Sequence, residues 1–193
     1  ISAKNIKKKR PYRINKKIFY KNPLNIFKYC KVNIVVEAIG LSDGISKKVV
    51  ETALRKKIHV VTPNKALIAK HGNHLSNLAE KNGVNLEFEA SVAGGIPILR
   101  TIKEGLATNK ITKVYGILNG TCNYILSEME KSKDSFNNVL HKAQKLGYAE
   151  PGNPKLDLNG YDALAKIRIL SSLAFNKKVS KHKCLMEGIE NIE

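Results

Sequence analysis

Apolar residues in the first half of the chain alternate between strand-like runs and helix-like spacing. The run Val32–Ile39 is rich in β-branched residues and ends at Gly40, a composition typical of a strand buried on both faces of a parallel sheet. Between Ile45 and Lys57 the apolar positions recur at helical spacing, and His59–Thr62 has the pattern of a second short strand. These segments predict one β–α–β unit.

A second helix and a third strand extend this pattern. The helix is predicted to begin near Lys65, after Pro63, and to end before Gly83, and Val84–Val92 is predicted to be the next strand. Strands that alternate with helices of this length indicate a right-handed, doubly wound parallel sheet, whose ligands collect beyond the carboxyl ends of the strands. The sequence therefore predicts an α/β fold with a partial Rossmann-type sheet over residues 1–93.

The pattern changes after Pro97, where helical spacing predominates. The predicted elements are a helix over Ile98–Leu106, a strand over Ile111–Leu118, helices over Asn123–Lys131, Ser135–Leu146 and Tyr161–Ala174, and a loop over Tyr148–Gly160. This mixture of elements predicts a second, α+β domain over residues 94–193.

The charge of the chain is concentrated near its beginning. The 193 residues are 42% hydrophobic, which is enough to bury a core, and the net charge is +18. Residues 1–31 hold eleven of the Lys and Arg residues and no acid, which leaves +7 for the remainder. Because this basic segment contains no recognisable RNA- or DNA-binding motif, nucleic acid is not an expected partner.

The sequence contains no signal for export or for a membrane. It has no run of about 18 apolar residues, and its basic opening segment lacks the apolar stretch of a signal peptide. The three cysteines, Cys30, Cys122 and Cys184, lie far apart, and His71 and His74 lack further ligands at metal-binding spacing. We therefore expect a cytoplasmic protein without a membrane partner and without a zinc site.

Two segments at predicted strand ends carry candidate binding groups. In Glu89–Pro97, paired glycines follow a strand and a proline opens a helix, so that turn carbonyls and the Glu89 carboxylate could surround a small hard cation. A tight turn between domains explains the same spacing equally well. Thr62–Lys65 places Lys65 where a cofactor lies in a doubly wound sheet, and an ordinary surface lysine is the equally weighted alternative.

A third segment, residues 150–166, concentrates acidic side chains around one lysine. Glu150, Asp157 and Asp162 accompany Lys166, and Asp162 and Lys166 are four residues apart, so they share a helix face. Such a pair is usually a solvated ion pair. Here the helix is otherwise apolar, so Lys166 is a candidate acid–base group in a polar pocket that binds an ammonium group.

Four ordered motifs resemble homoserine dehydrogenase. They are TPNKALIAKHG (Thr62–Gly72), EFEASVAGGIPI (Glu87–Ile98), GILNGTCNYIL (Gly116–Leu126) and LGYAEPGNPKLDLNGYDALAK (Leu146–Lys166). The resemblance implies an oxidoreductase that interconverts L-homoserine and L-aspartate 4-semialdehyde with NADP(H) or NAD(H), on the route to threonine, methionine and isoleucine. It also implies that the second domain serves catalysis and homodimerisation.

The resemblance also implies a role for individual residues. Lys166 matches the proton-relay lysine, Glu150 matches the carboxylate that holds the substrate's amino group, and Asp157 and Asp162 organise the same pocket. Lys65 is implied beside the nicotinamide end of the cofactor. Gly40, at the end of a predicted strand, is a further candidate cofactor residue from its position. Glu89, Val92, Gly94 and Ile96 match a structural site for a monovalent cation, for which we expect Na⁺.

Two departures from the family pattern affect these expectations. One residue is inserted within Gly152-Asn153-Pro154, which changes the path of the loop after Glu150. The chain also contains no G-x-G-x-x-G motif, so we expect it to be an internal fragment whose phosphate-binding turn lies upstream. Ser2–Asn5 is then the end of the second strand of the complete sheet, and Lys4 is a candidate partner of the NADP 2′-phosphate.

Two other functions compete with this one. The basic segment favours a binding module without enzymatic activity. Another nicotinamide enzyme, a semialdehyde dehydrogenase, would need a catalytic cysteine, and Cys122 is the only cysteine in a motif. Because Cys122 stands where homoserine dehydrogenases usually have Thr or Ser, we do not expect a thiol role.

Overall fold

A three-stranded parallel sheet organises the first half of the chain in the computed structural model, which describes residues 1–5, 7–152 and 154–192. The strands are β1 (Ile34–Val36), β2 (His59–Val61) and β3 (Leu86–Glu87), in the spatial order β1-β2-β3. In the register, Ile34 lies opposite His59, and Val60 lies opposite Leu86. The predicted α/β fold with a parallel sheet is confirmed for this half.

Two long helices pack with this sheet. The helices of the first half are α1 (Ile26–Tyr29), α2 (Ile45–Arg55) and α3 (Lys65–Lys81), with 3-10 turns at Lys16–Ile18, Pro23–Asn25 and Glu89–Ser91. Helices α2 and α3 confirm the predicted helices, and they bury Leu54, Leu67 and Leu75 completely. Burial of each such side chain contributes about 1.5–3 kcal/mol.

Two strands differ from the prediction. Ile34 and Val36 are 60% and 70% exposed, so the expectation that β1 is buried on both faces is wrong. In the described residues β1 is an edge strand, paired only with β2. The strand predicted over Val84–Val92 is reduced to β3, because the Phe88 carbonyl accepts a hydrogen bond from the Ser91 N–H and turns the backbone into a 3-10 helix.

The second half consists mainly of helices. They are α4 (Ile98–Arg100), which continues into a π turn at Thr101–Gly105, α5 (Gly120–Ser132), α6 (Phe136–Lys145), α7 (Lys155–Leu158), α8 (Tyr161–Ala174) and a 3-10 turn at Lys181–Lys183. The predicted helices correspond to α5, α6 and α8, and α7 was predicted to be part of a loop. A core of buried residues joins α5, α6 and α7, with Ile125, Val139, Ala143, Ala149 and Leu158 at its centre.

The predicted strand over Ile111–Leu118 is wrong. The structure assigns no secondary structure to this segment, and the side chains of Tyr115 and Ile117 are exposed. Alternating apolar residues form a strand only where a neighbouring backbone supplies hydrogen bonds, and within the described residues this segment pairs with none. Among the described residues, the second half contains helices and no strand, whereas one strand was predicted there.

The chain divides into two structural units, Ile1–Ser91 and Val92–Glu193. The first contains the sheet with α1 to α3, and the second contains α4 to α8. None of the helices in the described ranges combines the length and the apolar character needed to cross a membrane.

Candidate active site

The Lys166 ammonium group is held on the inner side of α8. Lys166 Nζ lies 2.7 Å from Asp162 Oδ2, one helical turn earlier, and it donates a hydrogen bond to the Leu118 carbonyl oxygen at 2.8 Å. The Asp162 and Lys166 side chains are only 6% and 20% exposed. This pair is therefore not the solvated ion pair that the spacing alone allows.

An asparagine joins Asp162 to a second carboxylate. Asn119, which precedes α5, donates from its amide nitrogen to Asp157 Oδ1 at 2.8 Å and to Asp162 Oδ2 at 3.0 Å. Its amide oxygen accepts a hydrogen bond from the Cys122 N–H at 2.8 Å, and so caps the helix. The structure thus brings three of the predicted site residues, Asp157, Asp162 and Lys166, into one hydrogen-bonded network.

The Cys122 thiol lies beside this network. Its Sγ is 3.3 Å from the Asp157 carbonyl oxygen. Burial raises the pKa of the Cys122 thiol, and the negative charges of Asp157 and Asp162 raise it further. A nucleophilic cysteine needs a lowered pKa, so the electrostatics oppose the thiol chemistry of a semialdehyde dehydrogenase.

Glu150 is placed differently from the other predicted carboxylates. It is exposed, and its backbone carbonyl oxygen accepts a hydrogen bond from Gln144 Nε2 at 3.1 Å. The contacts of the described residues do not include the Glu150 carboxylate in the network of Asn119. The segment of the predicted insertion, Gly152-Asn153-Pro154, includes Asn153, which lies outside the described residues.

The carboxyl ends of β1 and β2 form a second polar cluster, in the first unit. Glu37 is 2% exposed, and its carboxylate accepts hydrogen bonds from the Ile39 N–H at 2.7 Å and from Thr62 Oγ1 at 2.7 Å. Asn64 Nδ2 donates to Glu37 Oε2 at 3.3 Å and to the Leu41 carbonyl oxygen at 2.9 Å. These bonds fasten the turn after β1 to the turn after β2.

Two of the predicted cofactor residues, Gly40 and Lys65, lie after the carboxyl ends of β1 and β2. Gly40 follows β1 with a φ of +87°, which glycine adopts without strain, and a Cβ at this position would meet nothing within 4 Å. Lys65 is the first residue of α3, which Asn64 caps by accepting a hydrogen bond from the Leu67 N–H. An open turn beside a capped helix start fits a nucleotide cofactor.

Lys4 lies apart from the three-stranded sheet. It is exposed, and it follows Ser2, which forms an isolated parallel bridge with Tyr20. In the described residues Ser2 does not extend the sheet of β1 to β3, so the predicted second strand is present only as this bridge.

The predicted cation segment spans the end of the first unit and the beginning of the second. Glu89 lies in the 3-10 turn, Val92 is buried, and Gly94 and Ile96 are exposed. The Ser91 hydroxyl is buried and has no hydrogen-bond partner in the described part of the chain. A hydroxyl oxygen of this kind is a suitable ligand for a hard cation. Among the described residues, no group of three or more His, Cys, Asp or Glu side chains could hold a metal ion.

Two buried residues in these clusters were missed in the sequence. Asn119 lies inside the GILNGTCNYIL motif, and its position before a helix predicts only a cap. Glu37 lies inside an apolar strand run, where a lone acid is a signal of a bound or hydrogen-bonded carboxylate. Their other side-chain partners, Asp157 and Asp162 for Asn119 and Thr62 for Glu37, lie at least 25 residues away, so the sequence alone did not identify these contacts.

Family models match both halves of the chain. The model described as the homoserine dehydrogenase, NAD binding domain matches residues 2–89, and the model described as homoserine dehydrogenase matches residues 97–193. A homoserine dehydrogenase from Neisseria gonorrhoeae is 46% identical over 175 residues, which cover 91% of this chain and 40% of that protein. The homoserine dehydrogenase of Bacillus subtilis is 42% identical over 192 residues, covering 100% of this chain and 44% of that protein.

Solved structures show the same similarity. A homoserine dehydrogenase from Thiobacillus denitrificans superposes with a TM-score of 0.84 at 42% identity, over 90% of this chain and 40% of that one. A hyperthermophilic archaeal homoserine dehydrogenase mutant, solved in complex with NADPH, has a TM-score of 0.81 at 27% identity, over 89% of this chain and 52% of that one. The chain spans between 40% and 44% of the length of the two bacterial relatives named above.

Proposed function

This chain belongs to the homoserine dehydrogenase family, and on that premise we propose that the protein carrying it interconverts L-homoserine and L-aspartate 4-semialdehyde. The observation that carries this proposal is the half-buried Lys166 ammonium group, bound to Asp162 and to the Leu118 carbonyl oxygen. The nicotinamide cofactor supplies the hydride acceptor or donor when it is bound.

Lys166 is the proposed proton relay. In the reduction of the aldehyde, its ammonium group donates a proton to the carbonyl oxygen, which becomes the hydroxyl group of homoserine. In the oxidation, the neutral amine accepts the hydroxyl proton. A lysine ammonium group has three N–H donors, and the two contacts to Asp162 and Leu118 use two of them, which leaves the third for the substrate oxygen.

The carboxylates near Lys166 are proposed to bind the substrate. Homoserine carries an ammonium group, and the two carboxylates Asp157 and Asp162 exceed the single charge of Lys166 by one. This negative excess supports a pocket that favours a cationic group. We assign the direct contact with the substrate's amino group to Glu150, and the organisation of the pocket to Asp157 and Asp162.

The cofactor contacts are proposed at the ends of the strands. The open turn at Gly40 and the capped helix start at Lys65 support binding of NADP or NAD in the first unit. The exposed ammonium group of Lys4 is proposed to bind the 2′-phosphate, which favours NADP over NAD.

The remaining family properties are proposals of the same kind. We assign a monovalent cation, Na⁺, to Glu89, Val92, Gly94 and Ile96, and the buried Ser91 hydroxyl supports an oxygen-rich site there. A homodimer, a cytoplasmic location and a role in the synthesis of threonine, methionine and isoleucine follow from membership of the family. The basic segment adds no observation that favours a nucleic-acid partner.

Substitution of Lys166 tests the proposed reaction. In the complete protein encoded by the gene, Lys166→Ala is expected to lower kcat for aspartate semialdehyde reduction by about 10²- to 10⁴-fold, because the proton donor is lost. Consumption of NADPH measured by absorbance gives the rate. Glu150→Ala is expected to raise KM for the semialdehyde with a smaller effect on kcat.

A matched control separates this effect from the loss of a positive charge. Lys177→Ala removes an exposed lysine from the segment after α8, and we expect it to leave kcat unchanged. A Lys166→Ala protein that turns over like the wild type would disprove the proton-relay role. A wild-type protein without activity on either substrate would disprove the proposed function itself.

A further inference from the structure

Asn119 uses its whole side chain inside the candidate active site. The residue is 9% exposed, its amide nitrogen donates to two different carboxylates, and its amide oxygen accepts the Cys122 N–H. An asparagine side chain has two N–H donors and one carbonyl oxygen. Both N–H groups and the carbonyl oxygen of the Asn119 side chain therefore have hydrogen-bond partners.

A helix cap alone does not explain this arrangement. A cap needs only an acceptor oxygen, and Ser, Thr and Asp supply one as well as Asn does. Only Asn combines that oxygen with an NH₂ group, and here the NH₂ group bridges Asp157 on α7 to Asp162 on α8. An aspartate at this position would cap α5 equally well and would place a third negative charge beside the other two.

Asn119 is bonded to both residues whose oxygen atoms contact the Lys166 ammonium group. Asp162 Oδ2 is bonded to Asn119 Nδ2 at 3.0 Å and to Lys166 Nζ at 2.7 Å. The other acceptor of Lys166 is the carbonyl oxygen of Leu118, and the carbonyl carbon of Leu118 forms the peptide bond with Asn119. A shift of Asn119 would therefore move both acceptors of the ammonium group together.

We propose that Asn119 is a positioning residue for the dehydrogenase reaction. Its amide orients the Asp162 carboxylate and the Leu118 carbonyl, so that the Lys166 ammonium group directs its remaining N–H to the substrate oxygen. Asn119 does so without a charge of its own, which keeps the local excess at one negative charge. This proposal rests on the proposed function, because the substrate oxygen is that of the semialdehyde or of homoserine.

Two substitutions in the complete protein test this role while preserving the cap. Asn119→Ser retains an oxygen acceptor and loses the double donation, and we expect kcat to fall on the order of a hundredfold with KM for the cofactor unchanged. Asn119→Asp adds a negative charge beside the Lys166 ammonium group, which stabilises the charged form of the amine. Homoserine oxidation needs the neutral amine, so its rate should rise with pH only at a higher pH than in the wild type.

The control is another asparagine that caps a short helix. Asn22 accepts a hydrogen bond from the Leu24 N–H in the first unit, and Asn22→Ser is expected to keep the wild-type kcat and pH profile. Circular dichroism and thermal unfolding of all three variants establish that each is folded.

The outcomes distinguish the two proposals. A folded Asn119→Ser protein with lowered kcat, together with a shifted pH profile in Asn119→Asp, supports the positioning role. An active wild type whose kcat and pH profile are unchanged in both variants would show that Asn119 is only a cap. An Asn119→Ser protein that loses activity only because it unfolds, while Asn119→Asp is folded with a wild-type profile, would also overturn the proposal. A wild type that is inactive overturns the proposed function and this inference with it.

Discussion

Loss of the Asp162 carboxylate is expected to destabilise the fold more than loss of a carboxylate from an ordinary exposed helical ion pair. It is almost fully buried against Lys166, whereas Arg100 and Glu104, which are also four residues apart, form an exposed pair. Exposed pairs of this type contribute about 0.3–0.5 kcal/mol, but loss of one partner from a buried pair costs about 3–5 kcal/mol. Substitution of either Asp162 or Lys166 would thus change folding as well as chemistry, which makes the uncharged Asn119 the better probe.

The Cys122 thiol gives a prediction that needs no substrate. Because burial and the charges of Asp157 and Asp162 raise its pKa, the thiol carries less thiolate than an unperturbed cysteine does near pH 8.5, the approximate pKa of a free thiol. We expect iodoacetamide to modify Cys122 more slowly in the folded protein than in urea. Mass spectrometry of the digested protein over a series of pH values measures the rate at this site.

Asp157→Asn is the matched control for that prediction. It removes one of the two charges that raise the pKa of the thiol, so the labelling rate of Cys122 should increase and its pH dependence should move to lower pH. Equal labelling rates in folded and unfolded protein would contradict the environment described for Cys122.

The side-chain contacts of single residues could be predicted when the two partners lay one helical turn apart. Asp162 and Lys166 meet that condition, and the sequence placed them together correctly. Asn119 meets Asp162 across 43 residues, and Glu37 meets Thr62 across 25, so only the packing of separate elements brings them together. Sequence spacing contains no information about such contacts without the fold.

At the scale of elements, two helices of the first unit are joined by charged side chains. Asp43, just before α2, accepts hydrogen bonds from Lys70 Nζ at 2.6 Å and pairs with His71 Nε2 at 2.8 Å, both on α3. One turn further along, Glu51 on α2 lies 2.9 Å from His74 Nε2. These contacts stabilise the packing of α2 on α3 beside its apolar core.

Asp43 makes this packing dependent on pH. Hydrogen bonds from Lys70, His71 and Ser42 hold the pKa of the Asp43 carboxyl well below its usual range. A lowered pKa in the folded state means that the stabilisation is complete above the unfolded pKa, about 3.9, and is lost as the pH falls further toward the folded pKa. Asp43→Asn should therefore lower the urea midpoint at neutral pH, and the difference from the wild type should disappear in acid.

Hydrogen exchange can localise this effect. The amides of α2 and α3 should lose protection in Asp43→Asn at neutral pH, and those of α5 and α6 should not. Asp134→Asn, in the loop between α5 and α6, serves as the control carboxylate in the other unit. An equal difference between Asp43→Asn and the wild type at neutral and at acid pH would contradict the role given to this carboxyl.

The helices were predicted more accurately than the strands, because the residues that determine a helix lie within the helix itself. The helices α2, α3, α6 and α8 were predicted within two residues of their observed ends, because amphipathic spacing and caps lie within the segment itself. Strands depend on distant partners. The alternation over Ile111–Leu118 therefore predicted a strand where the described residues supply no neighbour, and β3 ended where Ser91 bonded back to Phe88.

For the whole molecule, the division of the sequence into a parallel α/β half and a helical half determines what each half contributes. The hydrogen-bonded network of Asn119 lies within the second unit, and the polar cluster at the carboxyl ends of β1 and β2 lies within the first. The sequence predicted this distribution from motifs, since each motif is local. The secondary structure of the second half was predicted less well, because the predicted strand has no pairing partner among the described residues.

The basic segment over residues 1–31 gives a test at the same scale. Its charge predicts weak, non-specific attraction to polyanions that is screened at about 150 mM salt, and no stable complex with nucleic acid. A mobility-shift assay with mixed-sequence DNA at low and at physiological salt measures this. Lys7→Glu, Lys8→Glu and Lys9→Glu combined should abolish any complex at low salt.

A control that reverses charges in the second unit locates the effect. Lys177→Glu combined with Lys178→Glu alters exposed lysines of the second unit and should reduce the low-salt complex less. A complex that persists at physiological salt, and that only the triple variant abolishes, would favour a nucleic-acid-binding module over the absence of such a partner.

The position of α7 has an evolutionary consequence. The hydrogen-bonded network begins at Asp157, in a helix that starts at Lys155, so a residue gained or lost before Pro154 changes the length of a surface loop and leaves the network intact. A residue gained or lost between Asp162 and Lys166 would rotate one side chain away from the other by about 100°. We therefore expect lineages of this family to vary in length at Gly152, and the interval from Asp162 to Lys166 to stay constant wherever this ion pair is retained.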